Sequence, residues 1–170
     1  MTITMFLPAR LKSRRGVSLV ELIVTLTILG ILASVVLPLS QMTAKRTREI
    51  ELRRNLRIIR TAIDEYKKKY DKAIDDKKIP GVMNSTGYPE TLQVLVDGYD
   101  FGDVSTPKHK FLRKIPMDPM NVVRPGEEPK WGLRSYADKP DSTSWGGEDV
   151  FDVYSLSEGT AIDGTKYNEW

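Results

Sequence analysis

Cysteine is absent from this 170-residue chain. That removes disulfides, Cys-ligated zinc, iron–sulfur clusters, c-type haem attachment and thiol catalysis together. A single histidine, His109, leaves multi-His metal sites and most His-based acid–base schemes without parts. There is no G-x-x-x-x-G-K-[ST] phosphate loop, and the Gly-rich stretches lack a strand-to-helix context. Ser, Asp and His109 form no catalytic motif. The paired acids Glu127-Glu128 and Glu148-Asp149 lie in Pro/Gly-rich turns, where solvated charge is the ordinary explanation. Aromatics make up 8% of the chain and hydrophobic residues 40%, enough for a modest core in one domain, with or without an anchor. These absences point to a structural or interaction protein rather than an enzyme.

Long apolar runs are also scarce, with one exception. Val17 to Leu39 has Glu21 as its only charge. As a helix it would be roughly 35 Å long, enough for a hydrocarbon core of about 30 Å. Residues 1–16 carry Arg10, Lys12, Arg14 and Arg15 and no acid. By the positive-inside rule they place the N-terminus in the cytoplasm and everything after Leu39 outside it. A cleaved secretory signal is the competing reading, but the run is too long for one and ends in VVLPLS without an A-x-A site. Glu21 is the anomaly. A carboxylate in lipid is unfavourable, so it either reaches the headgroups from near the helix end or awaits a cationic partner. Gly30 and Pro38 interrupt the run, and Pro38 predicts a kink or local opening near Ser34 to Pro38.

Arg14-Arg15-Gly16-Val17-Ser18-Leu19-Val20-Glu21, followed by ELIVTLTILGILASVVLP, resembles the processing site of type IV pilins and the pseudopilins of type II secretion. The resemblance implies cleavage between Gly16 and Val17 by a membrane prepilin peptidase and N-methylation of Val17, with Glu21 as the fifth residue of the processed chain. The family usually has Phe where Val17 stands. The resemblance also implies that the Glu21 carboxylate pairs with the Val17 ammonium of a neighbouring subunit, and that the stretch containing Gly30 and Pro38 loosens on assembly. Met5 is an alternative start that would shorten the leader.

Beyond the anchor, Leu52, Leu56, Ile59, Ile63, Tyr66, Tyr70 and Ala73 or Ile74 recur at spacings of three and four. They draw one apolar stripe along a helix from about Thr43 to Asp76, with Pro80-Gly81 as a stop. From Lys45 to Lys78 there are 13 Lys+Arg against 7 Asp+Glu, with Arg53, Arg54, Arg57 and Arg60 close together. From Ile79 to Trp170 the balance reverses to 9 against 15. Opposite charge on two surfaces suits contact between copies better than nucleic-acid binding. Removing residues 1–16 turns the net charge from +3 to −1, so the basicity belongs mainly to the leader.

The remainder is turn-rich. Thr91 to Val96 reads as one or two helical turns after Tyr88-Pro89-Glu90, and Phe111 to Pro116 as a turn or extended segment before Asp118-Pro119. Trp131 to Tyr136 and Asp149 to Leu156 read as strands joined through Asp141 to Gly147. The expected fold is α+β, a long N-terminal helix packed on a small antiparallel sheet. Its parts are a leader (1–16), a transmembrane and assembly helix (17–39), an amphipathic continuation (40–78) and a small periplasmic head (79–170).

YPETLQVLV, FLRKIPMDP, DVYSLSEG and the terminal Trp170 resemble, in order and approximate spacing, elements of the major pseudopilin of type II secretion. That resemblance implies a subunit of a periplasmic pseudopilus that supports export of folded proteins. Its partners would be copies of itself, minor pseudopilins, an inner-membrane assembly platform and the prepilin peptidase. The absence of Cys leans away from those type IV pilins that close their C-terminal region with a disulfide. The resemblance further implies calcium in the last loop, around Leu156, Glu158 and Asp163, with Asp152 nearby. Calcium needs about six to eight oxygens, and these residues supply few carboxylates. A loop held by its own turns and by Tyr167 or Trp170 packing is therefore favoured, and no cofactor is required. The other readings are a type IV pilin, a membrane-anchored DNA-binding protein and a membrane-anchored enzyme.

Overall fold

The computed structural model describes residues 16–81, 86–103, 108–124 and 126–170. The leader residues Met1 to Arg15 lie outside them. Helix α1 runs from Leu19 to Asp75, α2 from Leu92 to Asp97, strand β1 from Gly132 to Arg134 and β2 from Asp152 to Tyr154. A 3-10 turn spans Tyr167–Glu169. The chain divides into two compact units, one ending at Met42 and one comprising Thr43–Trp170; α1 contributes residues to both. The architecture is the expected α+β arrangement of a long N-terminal helix and a small antiparallel sheet.

In the second unit the apolar stripe of α1 forms the core. Leu52, Leu56, Ile59, Ala62, Ile63, Tyr66, Tyr70 and Ala73 are all buried, which is what spacings of three and four do on a 3.6-residue helix. They pack with Leu92 and Leu95 of α2, Phe101, Leu112, Trp131, Val150 and Val153. Around Tyr66 the rings of Tyr99, Phe101 and Phe111 each stand edge-on at 5.5 Å, a geometry that sets each ring's positive edge against a negative face.

The helix ends before Pro80-Gly81. The Lys78 N–H bonds the Ala73 carbonyl and the Lys77 N–H bonds Ile74, while Lys77 takes φ 56°. This is a Schellman closure with Lys at the left-handed position that Gly usually fills. Earlier in the chain, α1 passes through Gly30 and Pro38 without a break, so the local opening expected near Ser34 to Pro38 is not seen; the ladder loses one donor there and continues.

The sheet is smaller than the alternation suggests. Strands β1 and β2 pair antiparallel as Gly132 with Tyr154, Leu133 with Val153 and Arg134 with Asp152. Three residues on each side make the whole ladder. At Gly132 an added Cβ would stand 2.2 Å from the Tyr154 ring, so the ring lies directly over this glycine. The Arg134 guanidinium stacks on the same ring at 4.1 Å. The segment from Phe111 to Pro116 forms no regular element, as expected, and is tied to α2 where the Phe111 and Leu112 N–H groups both donate to the Leu95 carbonyl.

Candidate functional site

Gly16, Val17 and Ser18 precede the helix in no regular element and are exposed, and the helix opens with the Leu22 N–H bonding the Ser18 carbonyl. The expected cleavage point therefore sits on non-helical backbone beside the first turn. Glu21 occupies that turn, where unpaired N–H groups and the helix dipole favour negative charge.

From Val17 to Met42 every side chain described is exposed, including Leu19, Ile23, Leu26, Ile31 and Leu39. The hydroxyls in this stretch turn back on the helix: Thr25 donates to the Leu22 carbonyl at 2.9 Å, Thr27 to Ile23 at 2.8 Å and Ser34 to Ile31 at 2.7 Å. A surface so built is apolar all round and internally satisfied, the condition for a helix in lipid or against other helices. Among the described residues this is the one helix long and apolar enough to cross a membrane. Gly30 faces open space, with nothing within 4 Å of an added Cβ. The described residues give no packing reason for a glycine there.

In the second unit, part of the basic cluster turns inward. Arg60 Nε donates to Asp152 Oδ1 at 2.7 Å, and its Nη2 reaches the main-chain oxygens of Val153 at 3.0 Å and Trp170 at 2.6 Å. Arg53 Nη2 donates to Asp163 Oδ2 at 2.9 Å, and its guanidinium lies 4.0 Å from the centre of the Trp170 ring. Glu49, itself buried, accepts from the Ile162 N–H at 2.9 Å and the Tyr167 hydroxyl at 2.8 Å. Burial first, and then the Glu49 carboxylate, push the Tyr167 hydroxyl up to about 12. Arg54 and Arg57 are exposed and pair with no acid among the described residues. The four arginines thus divide: Arg53 and Arg60 hold the C-terminal segment, while Arg54 and Arg57 face solvent.

The residues expected around calcium are already engaged. Asp163 Oδ2 is taken by Arg53, and Oδ1 accepts from the Thr165 N–H at 3.0 Å and hydroxyl at 2.6 Å. The Thr165 bonds, more than Arg53, hold the Asp163 carboxyl below the usual carboxylate range. Asp152 is shared by Arg60 and Arg134. Leu156 and Glu158 are exposed. Among the described residues, no group of three or more His, Asp or Glu gathers as metal ligands do. The donor set does not fit a divalent cation. Tyr167 is buried with Trp170 edge-on at 5.2 Å.

Two acids missed by sequence reasoning organise the loops. Asp118 is 3% exposed; it accepts from the Met120 N–H at 2.8 Å and the Ser155 hydroxyl at 2.6 Å. Asp149 accepts from the Thr86 hydroxyl and from the Tyr136 N–H at 2.9 Å. Reading Glu148-Asp149 as solvated charge is therefore wrong for its second member: Asp149 is buried, and only Glu148 is exposed. The Asp-Pro step at Asp118-Pro119 was the available signal for the first; Asp149 has no local one.

Against this geometry the sequence comparison is specific to one end of the chain. Residues 11–37 match the prokaryotic N-terminal methylation motif. The match takes in Gly16, Val17, Glu21 and Gly30, and its described part covers the exposed residues before α1 and most of the exposed apolar half of α1. It is the prepilin signal of type IV pilin-like proteins, a group of structural subunits, and it does not separate pilins from pseudopilins. No curated protein and no solved structure matches the chain.

Proposed function

We propose that this chain is a pseudopilin, processed between Gly16 and Val17, anchored through residues 17–39 in the inner membrane, and polymerised into a periplasmic filament that supports export of folded proteins. The observation that carries the reading is the coincidence of the methylation motif with a helix whose first half is exposed, apolar and internally satisfied. That surface calls for lipid before assembly and for neighbouring helices after it. Glu21 would then be neutralised by the Val17 ammonium of the next subunit, favouring one register. Gly30, needed by nothing among the described residues, would serve close approach of another helix.

Orientation rests on where processing occurs, because the positive-inside expectation drawn from residues 1–16 does not survive a count of both flanks. Lys45, Arg46, Arg48, Arg53 and Arg54 follow the span closely, so basic residues flank both ends and charge asymmetry alone favours neither direction. Processing by a prepilin peptidase acting on the cytoplasmic side places residues 1–16 there and the second unit in the periplasm. The partners are copies of the chain, minor pseudopilins and the inner-membrane assembly platform.

The test is Glu21→Leu in cells. Filament formation, followed by cross-linking of subunits, is expected to fall at least tenfold while membrane insertion and cleavage persist. Wild-type assembly by this variant would remove the pairing role. The same motif serves type IV pilins, so deletion of the whole chain decides between them. Loss of extracellular proteins supports the secretion filament, and loss of surface fibres with normal secretion supports the pilin.

A further inference from the structure

We infer that the segment from Asp152 to Trp170 is closed by side chains of α1 standing where a bound cation would otherwise stand, so that its order does not depend on calcium. Arg53 and Arg60 take the cation's place, and Glu49, on the same side of α1, ties down the segment between them. Glu49 takes the Ile162 N–H and the Tyr167 hydroxyl, Arg53 takes Asp163 and the face of Trp170, and Arg60 takes Asp152 together with the main-chain oxygens of Val153 and Trp170. A calcium ion would coordinate carboxylates and main-chain oxygens at about six to eight positions. Here the guanidinium groups hold both kinds of oxygen, and the forked donors of Arg60 span a carboxylate and two carbonyl-type oxygens as one point charge on a flexible stem could not.

Charge makes the two solutions exclusive. A divalent ion drawn to Asp152 and Asp163 would have to displace Arg60 and Arg53, and Arg134 Nη1, 3.3 Å from Asp152 Oδ2, would repel it as well. One oxygen remains unsatisfied: Asn168 Oδ1 is buried without a hydrogen-bond partner among the described residues. The Asn168 main-chain oxygen faces the Arg134 guanidinium at 3.5 Å. A single neutral oxygen beside a cation is not a calcium site. The three helix contacts are unequal. The Arg53–Asp163 pair is about half exposed and adds little by itself. The Arg60 contacts are partly buried, and Glu49 is buried, so these two carry most of the closure.

The experiment uses the full chain in detergent micelles, with thermal unfolding followed by near-ultraviolet circular dichroism in excess calcium chloride and in EGTA. The wild-type Tm is expected to be the same in both. A calcium site filled a hundredfold above its Kd would raise Tm by roughly 5–10 °C, and a rise of that kind overturns the inference. Arg60→Gln is expected to lower Tm by several degrees, with no recovery in calcium. An unchanged Tm for Arg60→Gln overturns the clamp, and recovery in calcium restores the metal reading. Should Arg60→Gln fail to fold, Arg53→Gln and the wild-type titration still decide the matter. None of these readouts requires polymerisation, so a chain that forms no filaments yet ignores calcium would remove the proposed function and leave this inference standing.

Discussion

The two halves of α1 share a helix and almost nothing else. Between Val17 and Met42 the apolar side chains point in every direction and all those described are exposed; between Thr43 and Asp75 most of them follow one stripe and that stripe is buried, with Ile50 and Ile58 exposed off it. The first pattern needs a surrounding that is apolar on all sides, whereas the second needs a partner on one side and water on the other. For the second half that partner comes from residues 92–167.

The comparison breaks if equal truncations cost the same in both halves. Ile59→Ala, at a fully buried position, is expected to lower the unfolding free energy by about 2–5 kcal/mol. Leu26→Ala, exposed in the chain alone, should change it by no more than about 0.5 kcal/mol. Denaturant unfolding of both variants in the same detergent measures the difference. Equal losses would mean that the first half has an intramolecular partner.

A smaller effect sharpens the account of what covers the second half. Gly132→Ala drives a methyl group into the Tyr154 ring and is expected to cost roughly 1–3 kcal/mol. Combining it with Tyr154→Ala should return part of that loss in a double-mutant cycle. Strict additivity would show that the ring moves freely.

A further effect is electrostatic and appears only at high pH. Tyr167 titrates near 10.0 when unfolded and near 12 in the fold. The folded state therefore keeps a proton that the unfolded state releases. Its contribution is fully present below about pH 10 and is lost as pH rises towards 12. Stability measured across that window should fall more steeply for the wild type than for Tyr167→Phe, and parallel curves would detach the hydroxyl from Glu49.

What the sequence disclosed follows from distance along the chain. Every residue from Leu52 to Ala73 expected on the stripe is buried, because helical periodicity is a local signal. Strands Trp131 to Tyr136 and Asp149 to Leu156 alternate over more residues than actually pair, since pairing also needs a partner in register, and only three pairs form. The Arg60, Arg53 and Glu49 contacts join residues 92 to 118 positions apart. No pattern within a window records them; an arginine cluster looks the same whether it faces solvent or its own C-terminal segment. The helix end, by contrast, was legible to within a residue from Pro80-Gly81, although the left-handed Lys77 that closes it carries no glycine to mark it.

The buried carboxylate of Glu49 also sets an order of events. Its two donors, Ile162 and Tyr167, follow it by 113 and 118 residues, so during synthesis the helix and the apolar run exist well before that acid can be satisfied. Long-range closure of this kind is slow relative to helix formation. A chain already held in a membrane by its first half would complete its fold while tethered, and any copy stopped short of residue 162 would leave Glu49 without either donor. Such a copy would stay open along the side of α1 that residues 152–170 cover, exposed to quality-control proteases.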